Sequence, residues 1–243
     1  MKKDNFKSPD FYNIDTLFNE EQLLIRDTVR EWVKENVSPI IEDCALSGNF
    51  PKNIIKKLAD IGGFGSFLPT NYGGSEIDFT SYGLMMQELE RGDSSIRVLS
   101  SVQSLVMNTI YSLGSDDQKQ KYLPKLASGE LIGSFGMSEP NHGSDPSSMK
   151  SHYSKEKDFY IVNGSKMRIG QAPICDLAVI WAKNKSNKIE IIYDETFNSN
   201  NTVLIPTNSW NSINYELKFR AKSGAPRGEM VIKLIPQSLD PKY

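Results

Sequence analysis

The densest group of ligand-binding chemistry in this chain lies at residues 131–149, LIGSFGMSEPNHGSDPSSM. A β-prone run, residues 132–137, leads into Ser138, a turn centred on Pro140, and then Gly143, Ser144 and Asp145. Hydroxyls and backbone N–H groups crowded at a strand end can hold an anion or the edge of a heteroaromatic ring. The other reading is a hydroxyl-rich turn that satisfies its own backbone. A nucleophile pair of Ser138 or Ser144 with His142 needs a spatial arrangement that spacing does not supply. His142 and His152 are the only histidines, and a loop histidine reads first as a solvent-exposed side chain. GxGxxG, Walker, HExxH, CxxC and GxSxG patterns are all absent, so dinucleotide, nucleoside-triphosphate, zinc and serine-hydrolase readings lack their usual residues.

The elements that position this loop differ on its two sides. The chain has 243 residues with 38% hydrophobic content, enough for one large or two modest cores. Its 28 basic and 30 acidic residues are interspersed and sum to −2, which gives no electrostatic case for nucleic acid or an acidic membrane surface. Cys44 and Cys175 are far apart and flanked by apolar residues, as in a reduced compartment. With no secretory signal and no membrane-length apolar run, the expected location is cytoplasmic.

Before the loop the periodicity is helical. Asn19 is placed to cap a helix whose apolar positions are Leu23, Leu24, Val29, Trp32 and Val33. A break at Ser38-Pro39, a short helix to Gly48, and a third helix over Ile54, Ile55, Leu58 and Ile61 follow. Asp78 or Thr80 opens the next, Ser94 caps a long one to about Leu113, and Asp116 and Asp117 open the last, which ends at Gly129. After the loop the period shortens. Asn163-Gly164 predicts a two-residue hairpin turn within FYIVNGSKMRI, with further strands at residues 177–182, 189–193, 202–205, 215–219 and 229–235. The fold class expected is α+β: an all-α domain, residues 1–130, then an antiparallel β-barrel or sandwich, residues 131–243.

Three runs carry a family resemblance: ELERGDSSIR with SSVQSLVM, then GSDDQKQKYLPKLASGE, then FGMSEPNHGSDPSSM. Together they make residues 15–184 resemble the acyl-CoA dehydrogenase family, most closely its glutaryl-CoA branch. The resemblance implies the same helical-then-β order, followed by a third, helical domain that would begin where this chain ends, at Tyr243. A truncated or split form is therefore the expectation. The cofactor implied is FAD, the substrate an acyl-CoA such as glutaryl-CoA, and the electron acceptor an electron-transfer flavoprotein. A homo-oligomer, or a separate chain bearing the third domain, is the implied assembly.

The resemblance also assigns residues. Phe135, Gly136, Met137 and Ser138 would lie along the flavin ring, and Gly143 and Ser144 would meet the FAD phosphate or the acyl-CoA. Where the family has a tryptophan, an isoleucine-like residue and a hydroxyl, this chain has Arg168, Ile169 and Gly170. An arginine can stack on a planar ring, but glycine offers no hydroxyl. At the acyl end, Arg97, with Ser101 one turn onward and Glu90 on the preceding helix, would hold a distal carboxylate. The competing reading of Arg97 is an interhelix ion pair with Glu90 or Asp93. The family's catalytic glutamate belongs to the third domain, so no base is assigned here. Two classes stay open: an FAD-dependent dehydrogenase of a dicarboxylic acyl-CoA, and a non-catalytic relative that acts in binding or assembly or has no function of its own.

Overall fold

Local capping chemistry sets most helix starts. Helix α1 (Glu20–Asn36) begins at Asn19, whose side chain accepts from the Gln22 N–H at 2.9 Å while the Gln22 side chain accepts from the Asn19 N–H at 3.1 Å. Each of these two orphan donors is thereby met. Its buried stripe is Arg26, Val29, Trp32 and Val33, whereas Leu24, expected on that stripe, is exposed. Helix α2 (Ile41–Ser47) follows the Ser38-Pro39 break, and α3 (Asn53–Asp60) buries Ile54 and Leu58. Of the two predicted starts for α4 (Phe79–Gly92), Asp78 is the cap, accepting from the N–H groups of Thr80 and Ser81. These bonds, with the Ser81 hydroxyl, hold its carboxyl down at about 2. For α5 (Ser94–Leu113) the expected cap is displaced by one residue: Asp93, whose backbone is extended, accepts from the Ser95 N–H, while Ser94 is already the first helical residue and its hydroxyl donates to Glu90. Helix α6 (Asp116–Ala127) runs through Pro124.

A computed structural model describes residues 11–156, 159–172, 174–186, 189–191, 215–221 and 230–236. The chain divides into two compact units, and the division falls within α5. The first unit runs to Ser104 and includes residues 127–130; the second holds residues 105–126 and everything from Leu131 onward.

In the first unit, α1 packs on α4. Glu88 of α4 is fully buried in that contact and takes two bonds from Arg30 of α1, at 2.8 and 3.1 Å, and one from Arg91 at 2.7 Å. The loop between α3 and α4 is fastened to α5, where the Ser100 hydroxyl donates to the Gly63 carbonyl and the Ser104 hydroxyl accepts from the Gly65 N–H. Among the described residues no helix is long and apolar enough to cross a membrane.

In the second unit the described strands are β1 (Gly133–Gly136), β2 (His152–Glu156), β3 (Phe159–Asn163), β4 (Leu177–Lys183), β5 (Ile189–Ile191), β6 (Tyr215–Ala221) and β7 (Met230–Pro236). They form one sheet in the order β1-β4-β2-β3-β6-β7, with β5 also on β4. The expected helical-then-β order is observed. The sheet itself is mixed: β1 runs parallel to β4, pairing Gly133 with Leu177 and Gly136 with Ile180, where a wholly antiparallel sheet was expected. Strand period does not encode which partner a strand chooses, so this pairing lies beyond a pattern reading. Gly133 lets β1 lie directly on the second-unit part of α5, since a Cβ there would come within 2.7 Å of Val106. Residues 202–205 lie outside the described residues.

The hairpin turn is not at Asn163-Gly164. Strands β2 and β3 pair from Glu156↔Phe159 to His152↔Asn163, so the reversal lies between residues 156 and 159 and Gly164 is at the far end of the ladder. Gly164 is required there for space: a Cβ would fall 2.1 Å from the Ser151 hydroxyl oxygen. Residues 165–172 then run as a loop in place of the expected second strand.

Candidate functional site

In the second unit, the stretches assigned to the flavin are brought together. After β1, Glu139 and His142 exchange backbone bonds, each N–H to the other's carbonyl at 3.2 Å, around Pro140 and Asn141. Gly143 and Ser144 follow directly on this reversal. The segment 166–170 joins this turn and β1 through several contacts. The Lys166 ammonium donates to the Met137 carbonyl at 3.0 Å and to Glu139 at 2.9 Å. The Met167 N–H donates to the Ser138 carbonyl at 3.0 Å, and the Ser134 hydroxyl donates to the Gly170 carbonyl at 3.1 Å.

Phe135 packs its ring against Trp181 of β4, with centroids 5.8 Å apart. Gly136 is demanded by the core, because a Cβ would lie 2.6 Å from Ile180. Gly143 is different: a Cβ there meets nothing within 4 Å, so packing in the chain does not require its smallness. Ser138 is half-buried, and among the described residues neither its N–H nor its hydroxyl makes a hydrogen bond. A strand-end amide and hydroxyl left in this way suit the polar edge of a ring ligand. Gly143 and Ser144 are both exposed, next to the same turn. Arg168 is exposed and lies in the left-handed region at φ 58°, as does the backbone of Gln171 at φ 65°. Two non-glycine residues so held in one short loop mark it as a place where local strain is tolerated.

Glu139 and Lys166 were the residues not foreseen as part of this site. Their side chains are each only 4% exposed, and Glu139 also accepts from the N–H groups of Lys150 at 2.6 Å and Ser151 at 2.9 Å. Burial pushes the Glu139 carboxyl up, but hydrogen bonds from Ser151, Lys150 and Lys166 outweigh it and bring it down to about 2. Burial lowers Lys166 against the opposing pull of Glu139. A carboxylate so depressed and so fully occupied by donors is a poor proton acceptor, so Glu139 is not a general base. A lone acidic residue and a lone lysine, 27 positions apart, carry no local signal of pairing.

Because the folded carboxyl lies below its ordinary 4.5, the pair's stabilisation is present above that value and is lost as pH falls from there toward 2. Acid unfolding followed by circular dichroism should therefore show a steeper loss between pH 4.5 and 2 for the native chain than for Glu139→Gln. Equal slopes would assign the acid sensitivity to other carboxylates.

In the first unit, the residues that the resemblance assigns to the acyl end also meet. The Arg97 Nε donates to Glu90 at 2.6 Å and one terminal nitrogen lies 3.5 Å from the Ser101 hydroxyl, so the predicted one-sided placement of Arg97 and Ser101 is observed. The Ser94 hydroxyl donates to the other Glu90 oxygen at 2.6 Å. Hydrogen bonds from Ser94 and then Arg97 hold Glu90 below the usual carboxylate range. The interhelix pair is thus real, and it engages only the Nε edge of a guanidinium that is 36% exposed. The same pair holds the remaining N–H groups in one orientation, which a second carboxylate can use. Tyr82 of α4, its phenol raised by burial and opposed by Ser104 and by the charge of Arg97, is close enough to feel that guanidinium. Among the described residues no group of His, Cys, Asp and Glu could hold a metal ion.

Residues 19–130 match the family description "Acyl-CoA dehydrogenase, N-terminal domain", and residues 134–216 match "Acyl-CoA dehydrogenase, middle domain". Similar proteins include a 3-(aryl)acrylate reductase of Clostridium sporogenes, 36% identical over 172 residues, covering 70% of this chain and 46% of the relative. The mitochondrial isovaleryl-CoA dehydrogenase of Bos taurus is 39% identical over 168 residues, covering 68% of this chain and 39% of that protein. Among solved structures, a glutaryl-CoA dehydrogenase from Mycobacterium smegmatis in complex with FADH2 superposes with a TM-score of 0.74 at 30% identity, covering 92% of this chain and 55% of that one. The chain thus spans less than half the length of these two curated relatives.

Proposed function

Since the chain belongs to the acyl-CoA dehydrogenase family, whose members are FAD-dependent, we propose that it serves the α,β-dehydrogenation of an acyl-CoA ending in a carboxylate, as in the glutaryl-CoA branch. The observation that carries the flavin half is the joining of residues 135–138 to residues 166–170, which leaves the Ser138 amide and hydroxyl as unengaged donors at a strand end. FAD, when bound, supplies the two-electron acceptor. Ser138 would hold the polar edge of the ring, Gly143 gives a backbone approach without a side chain, and Arg168 and Ile169 would flank it. Arg97, fixed by Glu90 and Ser101, would orient the distal carboxylate. Electrons would pass to an electron-transfer flavoprotein, and a cytoplasmic location accords with the free thiols of Cys44 and Cys175. The proton acceptor is not among the groups assigned here, because Glu139 is committed to Lys166 and two amides.

A second reading, a relative that binds but does not turn over, is favoured by one observation: position 170 offers the ligand no hydroxyl, and its carbonyl is taken by Ser134. The two readings share the binding step. Competition binding should show glutaryl-CoA held more tightly than pentanoyl-CoA, which has the same chain length without the carboxylate. Equal affinities would contradict a dicarboxylic substrate.

A further inference from the structure

The Glu139–Lys166 pair does more than hold two loops together. Lys166 donates to the carbonyl of Met137, and that carbonyl belongs to the same peptide group as the Ser138 N–H. The carbonyl on the other side of Ser138 is bonded by the Met167 N–H. Both peptide planes that flank Ser138 are therefore fixed by residues 166 and 167. A cation on a peptide oxygen also polarises the group and makes its N–H a better donor. Glu139, bonded to the same ammonium and anchored by the Lys150 and Ser151 amides, prevents Lys166 from leaving that carbonyl. The sulfur of Met149 is a third, weak acceptor at 3.8 Å for an ammonium that is almost wholly out of water.

We propose that Lys166, held by Glu139, is a positioning residue for the flavin, setting the direction and donor strength of the Ser138 amide. The proposal rests on the flavin reading of this loop. It assigns the lysine a role toward a ligand that it does not touch, through a peptide bond whose oxygen it holds.

The test compares the native chain with Lys166→Met/Glu139→Gln, which removes both charges together so that no buried ion is left alone. Glutamine at position 139 keeps one oxygen, which can accept from either the Lys150 or the Ser151 amide, since these bond different carboxylate oxygens in the native chain, and thermal unfolding checks that the double variant is folded. FAD affinity is read by quenching of flavin fluorescence, and the environment of the ring by the position and resolution of the bound flavin's visible bands. The expected result is native-like folding with FAD held about tenfold more weakly, the size of one weakened hydrogen bond, and shifted flavin bands. Unchanged affinity and bands in the folded double variant would overturn the positioning role and leave the flavin reading intact. If the native chain itself binds no FAD, the flavin reading falls and the positioning role falls with it.

Discussion

Glu88→Ala is expected to cost the helical unit about 3 kcal/mol of stability, the low end for removing one partner of a buried ion pair. Glu88 is only 1% exposed at its side chain and is the shared acceptor for Arg30 and Arg91. Its burial alone would push the carboxyl up, yet the two guanidinium groups hold it below its usual value, so it is the charged form that the fold uses. With Ala at 88, the Arg91 side chain, 8% exposed, keeps its charge and loses this acceptor. Arg30 is 31% exposed and can turn to water, which is why the lower figure is chosen. Chemical denaturation of the two proteins measures the difference directly. A loss under about 1 kcal/mol would mean that the triad behaves as a surface pair and does not tie α1 to α4.

The second large effect concerns the acyl end. Arg97→Ala should erase the preference for glutaryl-CoA over pentanoyl-CoA, a change of about 30-fold or more, corresponding to the roughly 2 kcal/mol that loss of a charged hydrogen-bonding partner costs at a recognition site. The pairing of Arg97 with Glu90 does not argue against this role. Glu90 takes only the Nε edge, the Ser101 hydroxyl is a long 3.5 Å from one terminal nitrogen, and an arginine restrained by a carboxylate loses less freedom when a second carboxylate arrives. Affinity for pentanoyl-CoA should stay near its original value in the same variant. A preference that survives the substitution would return Arg97 to an ordinary interhelix ion pair.

How legible these features were in the sequence depends on how local their causes are. The Asn19 and Asp78 caps depend on groups within three residues of the cap; Asn19 is where the residue types placed it, and Asp78 is one of the two starts they offered for α4. The loop at Ser138 was legible for the same reason, since a strand ending in hydroxyls and glycines is a short-range pattern. Asn163-Gly164 misled because turn propensity there yields to sheet register: the ladder runs on to His152↔Asn163, and glycine at 164 answers the close approach of Ser151. The parallel pairing of β1 with β4 joins Gly133 to Leu177 across a whole hairpin, and the Glu139–Lys166 pair spans 27 residues. Neither leaves a mark in hydrophobic period. The loop's strand-end position was therefore readable, while the lysine that joins it to segment 166–170 was not.

The proposed flavin-binding face is argued from the joining of segments 135–138 and 166–170. Its most direct measurement is to mix the purified chain with FAD, remove the excess by gel filtration, and record the visible spectrum of the protein fraction. Stoichiometric flavin with bands displaced from those of free FAD is the predicted result. Folded protein eluting without flavin would contradict it.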